Sequence, residues 1–511
     1  MKRYLISLVI LVLMLSCDNT TQVRNFSMEV SVLPHPKEIS TSKNSLFLSG
    51  MSKTYSSKKE LQLLLQLFGS ELEKLTGINV EATKDKNRNA DIIFEIDSLL
   101  STEEYYLNID KTIQVTGGSY QALAMAKTTL LQLATKQEDK LVFPIVRIND
   151  YPDAKYRGLM IDLARQWHCA TSIKQIIDLA AFYKINYLHL HFTDDKSYTL
   201  PSKNYTLLAT PDSSYSFEEL KELEAYSQLR GVTIIPEIDV PGHSSPFVKM
   251  YPEIFAIKDA RENPWIINMG NEEVYEALDH LIGEICEIFV TTPYFHIGGD
   301  EAIFNKVLDD PEVKAYMVKY GLGENVNELY HNFLIRMNDI IKKHNKQMCV
   351  WEGFQRDSKS LIPKDIVVFE FETNRYLPNN LVEDGYTVVN TSWKPLYIVN
   401  NKKWEPKTIY KWNMWLWQNW WSKAPSSVPI QINESPLVIG AQMCTWDQPE
   451  ILEIPSLRKR LPAFIERIWN TKERIAFGQF MIQLEQSDKL FSILINDNRQ
   501  DSLLIGYNFS E

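Results

Sequence analysis

Residues 156–163 read YRGLMIDL, a short run that is apolar at most positions and ends on an acid and a leucine. Strands that face water on one side alternate polar and apolar residues, whereas strands buried on both faces read as near-continuous apolar runs, the habit of parallel sheets. Seven more such runs follow: YLHLHF (187–192), VTIIPEI (232–238), YFHIG (294–298), QMCVW (347–351), IVVFEF (366–371), YTVVNT (386–391) and PLVIGAQMCTW (436–446). Helical stretches join most of them, among them SIKQIIDLAAFYK (172–184), FEELKELEAYSQLR (217–230), NEEVYEALDHLIGEICEIF (271–289) and VNELYHNFLIRMNDIIKKH (326–344). Eight strands alternating with helices predict an α/β fold, a (β/α)8 TIM barrel over residues 151–511.

Upstream the rhythm differs. Over residues 32–150, strand-like DIIFEI (91–96), YYLNI (105–109) and TIQVTG (112–117) flank helical LQLLLQLFGSELEKLTG (61–77) and YQALAMAKTTLLQLA (120–134), which predicts a small α+β domain. Residues 1–17, MKRYLISLVILVLMLSC, place Lys2 and Arg3 before an apolar stretch too short to cross a bilayer. This reads as an export signal. Its end resembles the lipobox of bacterial lipoproteins, which implies lipidation of Cys17 and an exported protein, in the periplasm or at the outer membrane or cell surface, that meets membrane only through the anchor. Residues 18–31 are polar and aperiodic, the pattern of a flexible tether.

With 44% hydrophobic and 23% charged residues the chain of 511 is an ordinary globular protein, and a formal charge of −11 repels phosphate backbones and excludes nucleic acid as a partner. Cys169, Cys286, Cys349 and Cys444 are widely spaced and form no CxxC pair, so they read as buried thiols.

Barrel enzymes build their sites at the C-terminal ends of the strands. Here those ends carry Asp162 and Arg165, Asp194 and Asp195, Glu237 and Asp239 with His243 beyond, Asp300 and Glu301, Trp351 and Glu352, and Trp446, Asp447 and Gln448. Carboxylates interleaved with tryptophan point to carbohydrate. Glycosidic hydrolysis needs an acid for the leaving oxygen and negative charge to support an oxocarbenium-like transition state. Asp300 and Glu301 supply both, provided that the chain leaves the strand after Gly298 and Gly299, since neighbours on a regular strand point apart.

The segments RGLMIDLAR (157–165), INYLHLHFTDD (185–195), IIPEIDVPGH (234–243) and YFHIGGDE (294–301), in this order and spacing, resemble the β-N-acetylhexosaminidases of glycoside hydrolase family 20. The resemblance runs from about residue 33 to residue 469. It implies exo-hydrolysis of terminal β-linked N-acetylhexosamine from a glycan, with retention, through an oxazolinium intermediate formed by the substrate's own acetamido group, without cofactor or metal. Glu301 then matches the general acid and base, Asp300 the acceptor for the acetamido N–H, and Tyr397 the donor to the acetamido oxygen. His243 and Asp194 match a network supporting the acid, from which a raised Glu301 pKa is expected. Arg165 matches a grip on the outer hydroxyls, and Trp351 and Trp446 match walls of the pocket.

Three positions depart from the family pattern. Val399, with Asn400 one place late, stands where an aspartate holds the 6-hydroxyl; Gln448, preceded by Asp447, stands where a glutamate holds the 4-hydroxyl; and Phe369, Glu370 and Phe371 replace a tryptophan on strand six. These changes imply a sugar held differently from plain terminal N-acetylglucosamine, with a 6-substituent near Lys394 or Lys402, or the galacto configuration. WNMWLWQNWW (412–421) is read either as a plug over the barrel end or as a wall for stacking sugars. Two rival functions remain: a metal-dependent barrel hydrolase using His189, His191, His243, His296 and Asp300, and a glycan-binding lipoprotein without turnover.

Overall fold

The computed structural model describes residues 21–84, 90–257, 263–400, 403–419, 427–472, 474–497 and 499. Cys17 and the signal segment lie outside them, as do Lys402, Trp420 and Trp421. Among the described residues no helix is long and apolar enough to cross a membrane.

The leading α+β domain is one mixed sheet. Its order runs Gln22–Arg24, Glu38–Leu48, Lys140–Asp150, Tyr105–Ile109, Ile113–Gly117, Ile92–Ile96, Lys53–Tyr55, Glu81–Thr83. The helices Gln62–Thr76 and Tyr120–Leu133 carry the leucines and alanines that bury this sheet's apolar residues. Ser119 caps the second helix by accepting from the Ala122 N–H, and Gly77 ends the first in the left-handed region. The expected tether is ordered in part: Gln22–Arg24 pairs with the edge strand, Gln22 opposite Phe47, and the Phe26 ring meets Phe47 at 6.0 Å. Backbone pairing along the sheet edge and the Phe26–Phe47 ring contact order it despite its polar composition.

All eight expected barrel strands form: β1 (Tyr156–Asp162), β2 (Tyr187–His191), β3 (Thr233–Glu237), β4 (Tyr294–His296), β5 (Gln347–Trp351), β6 (Val367–Glu370), β7 (Thr387–Asn390) and β8 (Val438–Trp446). They pair in parallel, and β8 closes on β1 from Tyr156 opposite Gly440 to Ile161 opposite Thr445. A Cβ on Gly440 would lie 1.8 Å from the Tyr156 carbonyl oxygen, so closure at this point needs glycine. Inward-facing Tyr156, Met160, Ile235, Cys349, Trp351, Val367, Phe369, Val389 and Cys444 fill the lumen. Cys349 and Cys444 are buried as expected, but Cys169 is exposed and Cys286 half-buried, because both belong to helix surfaces and ends and not to strands.

Of the tryptophan-rich segment, Trp412 and Trp417 are core residues, their indoles donating to the carbonyls of Leu416 (2.8 Å) and Glu370 (3.3 Å). They pack the loop down onto the barrel.

The two domains share a buried ionic joint. Lys184 reaches Asp150 at 3.1 Å and the Tyr105 hydroxyl at 2.8 Å, and the Trp469 indole donates to Asp150 at 2.8 Å. Lys184 and Asp150 are both fully buried. Asp150→Ala would strand that ammonium and is expected to lower unfolding stability by about 3–5 kcal/mol. A denaturant midpoint equal to wild type would contradict this.

Candidate active site

Gly298 (φ +70°) and Gly299 (φ +96°) turn the chain out of β4. A Cβ on Gly298 would fall 1.7 Å from Asp239 Oδ1, so the turn lies hard against Asp239, two residues past β3. Glu301 then takes φ +47°, leaving Asp300 buried and the Glu301 side chain 57% exposed. The chain thus leaves the strand before the two carboxylates, as the sequence reading requires of such a pair.

A relay runs back from Glu301. His243, itself at φ +49°, places Nε2 3.5 Å from Glu301 Oε2 and Nδ1 3.3 Å from Asp194 Oδ2. Asp194 also meets Arg165 Nη2 at 2.6 Å, and Arg165 Nη1 meets Asp162 at 3.0 Å. The guanidinium stands 5.0 Å over the Trp446 ring, which fixes its plane.

Beneath lies a carboxylate that sequence reading noted only as a strand end. Glu237 is fully buried and contacts His191 Nδ1 (2.7 Å), His189 Nε2 (2.9 Å) and His296 Nδ1 (3.1 Å), and accepts from the Trp351 indole (2.8 Å). The spacing of His189 and His191, two apart and so on one strand face, was the available signal. Ligand atoms of His189, Glu237 and His296 lie within 4.8 Å, close enough to hold a metal ion, but each imidazole already faces the carboxylate.

Tyr397 is buried in an aromatic cage. Its ring is parallel to Phe371 (6.1 Å, 3°) and flanked by Trp446 (6.0 Å) and Trp393 (6.1 Å), while Trp351 closes the cage 5.8 Å from Trp446. Trp393 was not anticipated; it follows β7, where an isolated tryptophan gives no pattern to read. Asn400 is exposed just past Tyr397–Val399. The Lys394 ammonium sits 5.3 Å over the Trp404 ring.

At the rim the structure separates Asp447 from Gln448. Asp447 (φ +53°) donates its N–H to Asp162 and receives Gln166 (2.9 Å) and Lys196 (3.3 Å) on its carboxylate. Gln448, expected at the sugar's edge, is 1% exposed with its amide donating to the Trp446 carbonyl. The left-handed turn at Asp447 rotates the next side chain inward, so the acid and not the amide stands at the opening.

Burial raises the Asp300 pKa to about 6, with the charges of Glu301 and Glu237 adding to it and His243 opposing. Glu301 moves the other way, against expectation: its hydrogen bond to His243 holds it below the usual glutamate value, outweighing burial. Burial works against the His243 cation, yet hydrogen bonds to Asp195 and Glu301 carry its pKa far above the ordinary histidine range. Asp194 is held at about 2, burial being outweighed by His191 and Arg165. Both shifts favour a charged His243 beside an ionised Glu301 in the free site.

The molecule is therefore a closed (β/α)8 barrel with a paired-carboxylate, aromatic-walled site at its C-terminal mouth. The chain belongs to glycosyl hydrolase family 20: that family's catalytic-domain model matches residues 155–472 and its domain 2 model residues 29–151. A beta-hexosaminidase of Vibrio furnissii is 30% identical over 331 residues, 59% of this chain and 53% of the relative. The Bos taurus beta-hexosaminidase subunit alpha is 25% identical, covering 73% of this chain and 72% of its own. The chain spans about half the length of the first two curated relatives, 53% and 46%. In structure, the beta-N-acetylhexosaminidase of Bacteroides fragilis is similar with TM-score 0.78 at 25% identity, covering 94% of this chain and 97% of that one.

Carbon-13 NMR of the carboxyl groups should show Asp300 titrating near 6 and Glu301 below the usual glutamate value. His243→Gln removes the cation and should move Glu301 upward; an unmoved Glu301 would contradict the coupling.

Proposed function

We propose that the protein removes terminal β-linked N-acetylhexosamine from glycans as an exo-acting, retaining glycosidase whose nucleophile is the substrate's acetamido oxygen. The observation that carries this is the placement of buried Asp300 beside half-exposed Glu301, with the Tyr397 cage alongside. The hexosaminidase names of its relatives support the sugar class.

A sugar entering the pocket expels water from Glu301. The His243–Glu301 ion pair then loses solvation, which favours moving the shared proton across the contact to give neutral imidazole and carboxylic acid. Glu301 protonates the glycosidic oxygen as the bond to the anomeric carbon breaks and the acetamido oxygen attacks that carbon. Asp300 accepts from the acetamido N–H and stabilises the cation that develops there, while the Tyr397 hydroxyl donates to the acetamido oxygen and orients it. Glu301, now a carboxylate, takes a proton from water, which opens the oxazolinium ring and restores the acid. Asp447, Lys196 and Arg165 form the edge that meets the outer hydroxyls, and the missing acid at Val399, with an acid at Asp447 in place of one at Gln448, favours a galacto or 6-substituted sugar. Export and lipidation at Cys17 are part of the same reading; Cys17→Ala should move the protein from the membrane to the soluble fraction.

Glu301→Gln should lower kcat on an aryl N-acetylhexosaminide by about 10²–10⁴-fold, the usual range for a general acid. Equal turnover by the variant would refute the assignment, and absence of turnover by the wild type would favour the glycan-binding reading. Retained activity after exhaustive chelation removes the metal reading. Rates on aryl N-acetylglucosaminide, N-acetylgalactosaminide and the 6-sulfated form test the edge; strong preference for the first contradicts it.

A further inference from the structure

The turn that presents Asp300 and Glu301 is held at all four backbone polar groups of Gly298 and Gly299. Gly298 N–H donates to His296 Nδ1 (3.1 Å), its carbonyl receives the Trp351 N–H (2.8 Å), and Gly299 N–H donates to Asp239 Oδ1 (3.1 Å). These three partners come from β4 itself, from β5 and from the second residue past β3. The fourth group, the Gly299 carbonyl, receives the hydroxyl of Tyr330, which comes from outside the barrel wall, on the helix Val326–Lys343 that leads into β5. Tyr330 is 1% exposed, and burial pushes its pKa upward, so the hydroxyl is a permanent donor.

The same side chain also touches the chain beyond the acid. Its ring packs on Phe304 at 5.4 Å and 48°, three residues after Glu301. On the opposite side, Gly353 crowds the turn so closely that a Cβ there would lie 2.6 Å from the Gly299 oxygen and 3.1 Å from the Asp300 Cα. That oxygen has room for a hydroxyl on one side and bare backbone on the other.

We infer that Tyr330 is a positioning residue for the reaction, clamping the backbone on both sides of the Asp300–Glu301 pair so that both carboxylates hold their angle to Tyr397 and to the bound acetamido group. It touches no substrate. Its hydroxyl orients the peptide that leads into Asp300, and its ring limits the swing of the loop that follows Glu301. Because the two carboxylates act mainly in the transition state, loosening them lowers kcat and leaves ground-state binding largely alone.

The inference rests on the proposed hydrolysis, and the wild-type assay separates the two: no turnover by the wild type refutes the function, whereas the variants bear on Tyr330 alone. Tyr330→Phe keeps the ring and removes the donor. Its kcat should fall about 10- to 100-fold, with KM within about two-fold and the thermal midpoint within several degrees of wild type. Affinity for a thiazoline mimic of the cyclised acetamido group should fall by the same factor as kcat. Phe304→Leu, which unloads the ring and leaves the hydroxyl, should give a smaller kcat-selective loss of about two- to five-fold. A Tyr330→Phe enzyme with wild-type kcat, or one whose loss lies wholly in KM, overturns the inference. Should Tyr330→Phe not fold, wild-type kcat in Phe304→Leu overturns it.

Discussion

Neighbouring residues of a β-strand point to opposite faces, so Asp300 and Glu301 reach one pocket because Gly298 and Gly299 carry the chain out of β4 in the left-handed region. The arrangement around them follows from that turn. Asp239 must lie close enough to receive the Gly299 N–H, which excludes any side chain at Gly298, and Gly353 must be bare to let the chain leaving β5 pass the turn. His243 and Asp447 adopt positive φ as well. Three non-glycine residues at the barrel mouth thus hold a backbone form that costs energy, a concentration found where side-chain direction serves a site.

The electrostatics divide the labour of the pair. Asp300 is buried and its pKa lifted to about 6, so it is an anion at neutral pH but a weakly held one. Glu301 is half-exposed and faces His243 at 3.5 Å, a contact that holds its pKa below the usual glutamate value. The buried Glu237, ringed by three histidines and an indole, adds a negative charge that helps to raise Asp300.

Much of this was legible in the chain. The eight barrel strands stood out because each is buried on both faces, as in YRGLMIDL, and HIGGDE showed both the carboxylates and the glycines that redirect them. Other features depend on torsions and distant partners that no local pattern encodes. Gln448 turns inward and leaves Asp447 at the rim through a positive φ at an aspartate, and Tyr330 reaches the turn from a helix about thirty residues later. The lowered Glu301 pKa arises from proximity to His243, whose charge follows from Asp195 and Glu301 together and not from its neighbours in sequence. Gln22–Arg24 pairs as a strand because an edge and the Phe47 ring await it, which composition does not reveal.

In the proposed reaction the nucleophile belongs to the substrate. Aryl glycosides carrying acetyl, fluoroacetyl, difluoroacetyl and trifluoroacetyl groups on the 2-nitrogen vary the basicity of that oxygen at nearly constant shape. Rates should fall steeply with each added fluorine, by orders of magnitude across the series; a flat series would show that the acetamido oxygen does not attack and would contradict the account.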